Sequence, residues 1–401
     1  ERYRNCVYVN LEKQPAFCAV FEKDHDVQRI VSDISALSRT KIEKEDTLLI
    51  LDEIQSCPRA LASLKYFQED GKGYHVACAG SLLGIVLARS SSKPVGKTED
   101  LTMYPMDFHE WMIANGEDLL WEAVSENPGT LDAALADRLE RLYREYLFVG
   151  GMPEAVKSWV TTHDEEEVSK AHDGILNWYS ADMLGHAPND DSDKIFQVWT
   201  SIPSQLFTET GNFIFSHVRK GGRARELEGA LQWLVDAGLV HKVYKVETPK
   251  VPMKQQMDLI SFKAYLCDVG LLGRMMNLTL DAYLYPELGL LSDDYRGGLT
   301  ENFVLNEIIH LFGEDVCFWR SGREELDFLI QHRSRIVPVE VKSGRKVRAS
   351  SLGKYINEYD PVAAAVVSMN PPRIARVMHV PLYMIWSMRK LLNDRIDEVT
   401  G

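Results

Sequence analysis

Residues 324–342 read Glu-Glu-Leu-Asp-Phe-Leu-Ile-Gln-His-Arg-Ser-Arg-Ile-Val-Pro-Val-Glu-Val-Lys. Leu326, Phe328 and Ile330 alternate in a first run, and Val337, Val339 and Val341 alternate in a second. Gln331, His332, Arg333 and Ser334 separate the two, so the stretch predicts a β-hairpin. Side chains two positions apart share a strand face, so Glu340 and Lys342 project together, opposite the valines. Asp327 opposes its own apolar neighbours and is expected beside them across the hairpin. The resulting D-x12-E-x-K spacing offers two carboxylates and an ammonium on one face. That set suits magnesium-assisted phosphodiester hydrolysis. The acids hold the hard cation, and the lysine orients or deprotonates the attacking water and offsets phosphate charge.

The pattern resembles the PD-(D/E)-x-K nuclease superfamily, whose core is a mixed sheet flanked by helices. The resemblance implies a further metal-binding acid on a preceding helix, and Glu301 is the candidate. Val304, Leu305, Ile308, Leu311 and Phe312 form an apolar stripe behind it. Thr300 is the expected N-cap, which would place Glu301 in the first helical turn, where the helix dipole alone also favours an acid. Asp327, Glu340 and Glu301 are thus the expected metal ligands here, and Asp327, Glu340 and Lys342 the expected catalytic residues. A nuclease fold kept only as a recognition module is the alternative.

A second signal lies upstream. Thr47-Leu-Leu-Ile-Leu-Asp-Glu-Ile-Gln55 is an apolar strand ending in paired acids. It resembles the Walker B motif of P-loop ATPases, which implies that Asp52 holds Mg2+ and Glu53 polarises the water attacking the γ-phosphate of ATP. His75-Val-Ala-Cys-Ala-Gly-Ser81 resembles the sensor strand of AAA-type ATPases, with Ser81 contacting the γ-phosphate. A phosphate-binding loop of the form G-x-x-x-x-G-K-[ST] is expected before Walker B, and residues 1–46 do not contain one. Gly96-Lys97-Thr98 follows Walker B, and Ser91 stands where the motif needs its first glycine. Residues 6–11 already read as a strand, so the expectation is a fragment whose parent carries the loop upstream.

Further stretches extend the resemblance along nearly the whole chain: LLILDEIQSCPRALASLKYF, HVACAGSLLG, YLFVGGMPEAV, SIPSQL, GGRARELEGALQWLVDAGLV, FKAYLCDVGLLG, LTENFV and VPVEVKSG. Together they are similar to the bacterial and archaeal AAA-type ATPases that carry a C-terminal domain of unknown function. The expected fold class is α/β. Residues 1–110 form a truncated AAA-type P-loop core, with strands near 6–11, 47–52, 75–80 and 100–104, and residues 111–193 a helical lid. Residues 194–290 form a winged helix, and residues 291–401 a restriction-endonuclease-like α/β domain. In the winged helix, Leu227, Ala230, Leu231, Leu234 and Val235 make the helical stripe, Gly238 stops it, and 239–246 and 262–267 are the wing strands.

Composition is consistent with a multidomain protein. The 401 residues are 45% apolar, enough for two or three cores. The six cysteines show no metal-ligand spacing and no disulfide frame, which fits a reducing cytoplasm. No run approaches the roughly 18 apolar residues of a membrane span. A net charge of −14 argues against general coating of nucleic acid. From residue 295 onward, however, about 15 basic residues face about 13 acidic ones, with Arg333, Arg335, Lys342, Arg345, Lys346 and Arg348 clustered after the hairpin. They offer phosphate contacts. Arg219, Lys220, Arg223 and Arg225 open the winged-helix stripe, where they would meet DNA, or the nucleotide of a second copy in a homo-oligomer. Neither H-E-x-x-H nor G-x-S-x-G occurs, which removes support for zinc-protease and serine-hydrolase readings. Two readings follow. One is an ATP- and Mg2+-dependent AAA-type enzyme whose nuclease-like domain cuts DNA. The other is a nucleotide-dependent switch whose nuclease fold recognises without cutting.

Overall fold

The computed structural model describes residues 2–80, 96–126, 128–186, 191–208, 211–346 and 349–400, so Ser81 and Arg348 lie outside the described residues. The chain forms two compact units, 1–103 with 236–238, and 104–235 with 239–401. Among the described residues no helix is long and apolar enough to cross a membrane.

In the first unit, β1 (Asn5–Asn10), β2 (Thr47–Asp52) and β3 (His75–Cys78) form a parallel sheet in that order. Parallel neighbours need crossover connections, and helices Pro15–Glu22, Val27–Ser38 and Pro58–Asp70 supply them. Asp26 starts the second of these by accepting the Arg29 amide. Val7, Val9, Leu49 and Leu51 alternate onto one face and bury against Phe17, Phe21, Ile30, Ile34 and Leu61. On the other face Tyr8 is 58% exposed. Residues 100–104 form no strand, contrary to the sequence expectation. Leu101 and Met103 there are exposed, so the stretch lacks the buried face that would hold it in a sheet.

The second unit is built on a seven-stranded mixed sheet. Its strands are β4 (Val240–Val246), β5 (Met257–Leu266), β6 (Val316–Ser321), β7 (Glu324–His332), β8 (Arg335–Val341), β9 (Ala364–Ser368) and β10 (Val377–Pro381). Their order is β10-β9-β8-β7-β6-β4-β5. The expected wing strands are thus not a separate layer, because β4 pairs in parallel with β6. The expected boundaries at 193 and 290 both fall inside this compact unit. The helices expected as a lid belong to it as well, with Ala133–Val149 packed on Val269–Met275.

The β7–β8 hairpin turns through Arg333 and Ser334, both left-handed (φ 46° and 57°). That is the two-residue turn whose twist matches paired strands. One expectation for β7 fails. Leu326 pairs with Trp319 but Leu329 pairs with Cys317, so β7 carries an extra residue. This β-bulge puts Leu326 and Leu329 in one core, against Trp319, Leu352 and Tyr355, and breaks the simple alternation of Leu326, Phe328 and Ile330. Asp327 stands at the bulge.

The long helix spans Asp293–Phe312, not Thr300–Phe312. Ser292 caps it, and Asp293 and Asp294 favour its first turn. Thr300 is no cap, since its hydroxyl donates to the Arg296 carbonyl at 2.8 Å within the helix. Glu301 therefore sits mid-helix, one turn from the buried Phe303, Val304 and Leu305. Gly298 is required there because a Cβ would lie 2.6 Å from Phe207 Cδ1.

Candidate functional site

At the end of β2, Asp52 is registered with Asn10 of β1. Asn10 Nδ2 donates to Asp52 Oδ2 at 3.1 Å, and the Tyr8 hydroxyl donates to the same oxygen. That bond raises the Tyr8 phenol above its usual range. Glu53 follows in the left-handed region at φ 50°, a conformation that costs a non-glycine residue energy and clusters at working sites. Gln55 Nε2 donates to Glu53 Oε2 at 2.5 Å. Gly80 follows β3 and packs against the same glutamine, since a Cβ there would lie 2.1 Å from Gln55 Oε1 and push that side chain aside. Asp52 and Glu53 thus stand side by side at the carboxyl end of a parallel strand, where open α/β sheets bind ligands.

In the second unit the hairpin acids converge at the bulge. The last β7–β8 pair toward this end is Phe328 with Val339. Beyond it the Asp327 carboxylate enters the ladder, accepting the Val341 amide at 2.6 Å. Glu340 is 5% exposed. Its Oε1 lies 2.5 Å from Lys342 Nζ, and its Oε2 is buried with no hydrogen-bond partner. The Lys342 amide donates to Val367 at 2.8 Å, which fixes the strand end. Burial, then the Glu301 and Glu340 carboxylates, push the Asp327 carboxyl well above the usual range, against the pull of Lys342 and Lys263. Burial raises Glu340 too, opposed by Lys342. Burial lowers the Lys342 ammonium, but Asp327 and Glu340 outweigh it and raise the group.

Glu301 has other partners. Its Oε2 accepts the Tyr265 hydroxyl at 3.0 Å and lies 3.5 Å from Lys263 Nζ. Lys263 also reaches Glu325 Oε1 at 2.7 Å, and Glu325 Oε2 accepts from Arg320 Nε at 2.5 Å. Sequence reasoning missed Lys263, Tyr265 and Glu325. The first two sit on β5, read as a wing strand, and Glu325 precedes the motif acid by two residues. The available signal was a lysine among Phe262, Ala264, Tyr265 and Leu266, the apolar end of the strand.

Asp107, Glu110 and His310 bring one ligand atom each within 4.8 Å of one another. A capping box joins the two acids at the start of helix Phe108–Ala114, which accounts for their proximity.

Residues 1–112 match the model of an AAA domain, which contains the Asp52–Glu53 pair. The likeness to AAA-type ATPases is carried by this N-terminal stretch. Two domains of unknown function follow it, DUF8612 over residues 140–282 and DUF4143 over residues 296–383. The acid cluster draws on both, with Lys263 and Tyr265 from the first and Glu301, Glu325, Asp327, Glu340 and Lys342 from the second. No curated protein matches the chain. Among solved structures, a Walker-type ATPase of Pyrococcus abyssi is 11% identical, over 68% of this chain and 84% of that one, at a TM-score of 0.40.

Proposed function

We propose that this chain joins an ATP-binding and ATP-hydrolysing AAA domain to a metal-dependent phosphodiesterase site that acts on DNA. One observation carries the second half. The buried Glu340 Oε2 has no hydrogen-bond partner, beside Lys342 and the strand-end carboxylate of Asp327. A buried carboxylate oxygen left unsatisfied is costly, and a divalent cation would satisfy it. Asp327 and Glu340 would hold Mg2+ or Mn2+, which when bound polarises a phosphoryl oxygen and acidifies water. Lys342 would orient that water and offset phosphate charge, and Lys346 on the following loop offers a backbone phosphate contact, whereas Arg345 is held by Glu140 at 2.7 Å and the Met369 carbonyl at 2.9 Å. In the AAA domain Asp52, oriented by Tyr8 and Asn10, would serve the Mg2+ of ATP, Glu53 the attacking water, and Ser81 the γ-phosphate.

The test is incubation of the chain with Mg2+ or Mn2+ and linear, single-stranded and branched DNA, beside Glu340→Ala and Lys342→Ala. Cleavage abolished in both folded variants is expected. A second reading, a nucleotide-dependent switch that recognises DNA without cutting it, is favoured by the direct Glu340–Lys342 contact, which already offsets the acid's charge. Metal-independent DNA binding with no cleavage under any divalent ion would establish it in place of the first.

A further inference from the structure

Lys263 is a charged side chain only 3% exposed, on a strand that the motif does not include. An isolated ammonium there would be expensive, so its partners define its role. They are Glu325 at 2.7 Å and Glu301 at 3.5 Å, with the Phe318 ring 5.4 Å below. Burial alone would lower this ammonium, but Glu301, the Tyr265 oxygen and Glu325 outweigh it, and the group stays protonated.

Strand parity separates this group from the hairpin acids. Phe318 lies between Cys317 and Trp319, whose side chains belong to the core beneath helix Ser350–Tyr359, so Phe318 and Lys263 face the other way, toward helix Asp293–Phe312. Glu340 is registered with Val366, a member of that same core. Asp327 stands between the two groups at the bulge. Among the described residues Glu301, Asp327 and Glu340 do not form a group whose ligand atoms all lie within 4.8 Å.

We infer that Lys263 is a resident cation occupying the place of a second metal ion, so that the site takes a single exchangeable divalent ion, on Asp327 and Glu340, with Glu301 outside its coordination set. The charges agree. Four acids (Glu301, Glu325, Asp327 and Glu340) meet three fixed cations (Lys263, Arg320 and Lys342). Glu301 and Glu325 are engaged by Lys263, Tyr265 and Arg320, whereas Glu340 Oε2 is left without a partner. Magnesium-like ions are commonly held by one or two carboxylates and keep their remaining waters. The inference rests on the metal-site reading above and is stricter than it.

The test counts Mn2+ bound to the full chain by electron paramagnetic resonance titration, with circular dichroism melts as the fold control. One ion per wild-type chain is expected. Glu340→Gln should weaken it by about ten-fold or more, while Glu301→Gln shifts affinity by no more than about two-fold. Lys263→Met, which keeps the stem and removes the charge, should bind a second Mn2+ that disappears when Glu301→Gln is added. Loss of the single ion in Glu301→Gln would overturn the inference and leave the metal site standing. So would a folded Lys263→Met chain that still binds one ion. A wild-type chain that binds none would overturn both. If Lys263→Met does not fold, the Glu301→Gln and Glu340→Gln pair decides alone.

Discussion

The Asp268 carboxylate accepts the amide of Gly151 at 2.7 Å, joining a turn and a strand end 117 positions apart. Its other oxygen accepts the Leu271 amide at 2.8 Å, which caps helix Val269–Met275. Two stretches that looked like family signatures, Tyr146–Val156 and Phe262–Gly273, are therefore the two halves of one clasp.

That clasp is intolerant of a methyl group. A Cβ on Gly151 would lie 2.0 Å from the Met106 carbonyl oxygen, so Gly151→Ala is expected to destabilise the second unit by about 2–4 kcal/mol. Asp268→Ala strands two buried amides, at about 1–3 kcal/mol each. Urea unfolding followed by tryptophan fluorescence reads both. A shift below about 0.5 kcal/mol in either variant would show that the clasp is not structural.

The hairpin site makes a kinetic prediction. Lys342→Ala should lower DNA cleavage by about 10²–10⁴-fold, the usual contribution of a positioned proton-transfer group, with the melting temperature nearly unchanged. Asp327→Asn should remove cleavage and also loosen the strand end, because the Val341 amide loses its charged acceptor. Gel assays of labelled DNA separate the two effects from thermal melts.

In the AAA domain, Asp52→Ala and Glu53→Gln should part company. When a phosphate-binding loop is present to hold the nucleotide, Glu53→Gln is expected to retain ATP while turnover falls, and Asp52→Ala to lose Mg2+-dependent binding as well. Radiolabelled ATP retention on filters, set beside phosphate release, checks this. Undiminished turnover in Glu53→Gln would remove the assignment.

Two groups outside both sites set opposite pH slopes. Burial lowers His241 to about 4, with Glu314 opposing. The unfolded imidazole takes a proton near about pH 6.5, so stability should fall as pH drops from there toward 4, and His241→Gln should flatten that limb. Burial, then Asp107, raises Glu307 well above its usual range, although its Oε1 accepts the Phe108 amide at 2.8 Å. The folded chain keeps that proton, so its stabilising contribution is full below the unfolded value of about 4.3 and is lost as pH rises through the folded one. Glu307→Gln should flatten the higher limb. Urea midpoints measured across the pH range test both.

Local chemistry made much of this protein legible in advance. The hairpin, the proximity of Glu340 to Lys342, and the apolar strand ending at Asp52 and Glu53 all follow from period-two alternation and near neighbours, which need no knowledge of the rest of the fold, whereas of the four expected turn residues Gln331 and His332 are paired in β7 and only Arg333 and Ser334 turn. Helix limits were harder. The expected start at Thr300 falls inside the helix, which runs from Asp293 through Gly297 and Gly298, where Gly298 packs on Phe207, and this moves Glu301 from the first turn to the middle. The bulge at Asp327 was illegible, because it records how β7 fits β6 and not a property of β7 alone. Lys263 was the furthest out of reach. Its meeting with Glu301 and Glu325 depends on β4 pairing in parallel with β6, a contact across about seventy residues that no local pattern announces. The sequence by itself determined which acids and which lysine the hairpin presents. Only the tertiary structure decided which other charges share their surroundings, because long-range strand pairing places a buried cation beside carboxylates distant from it in the chain.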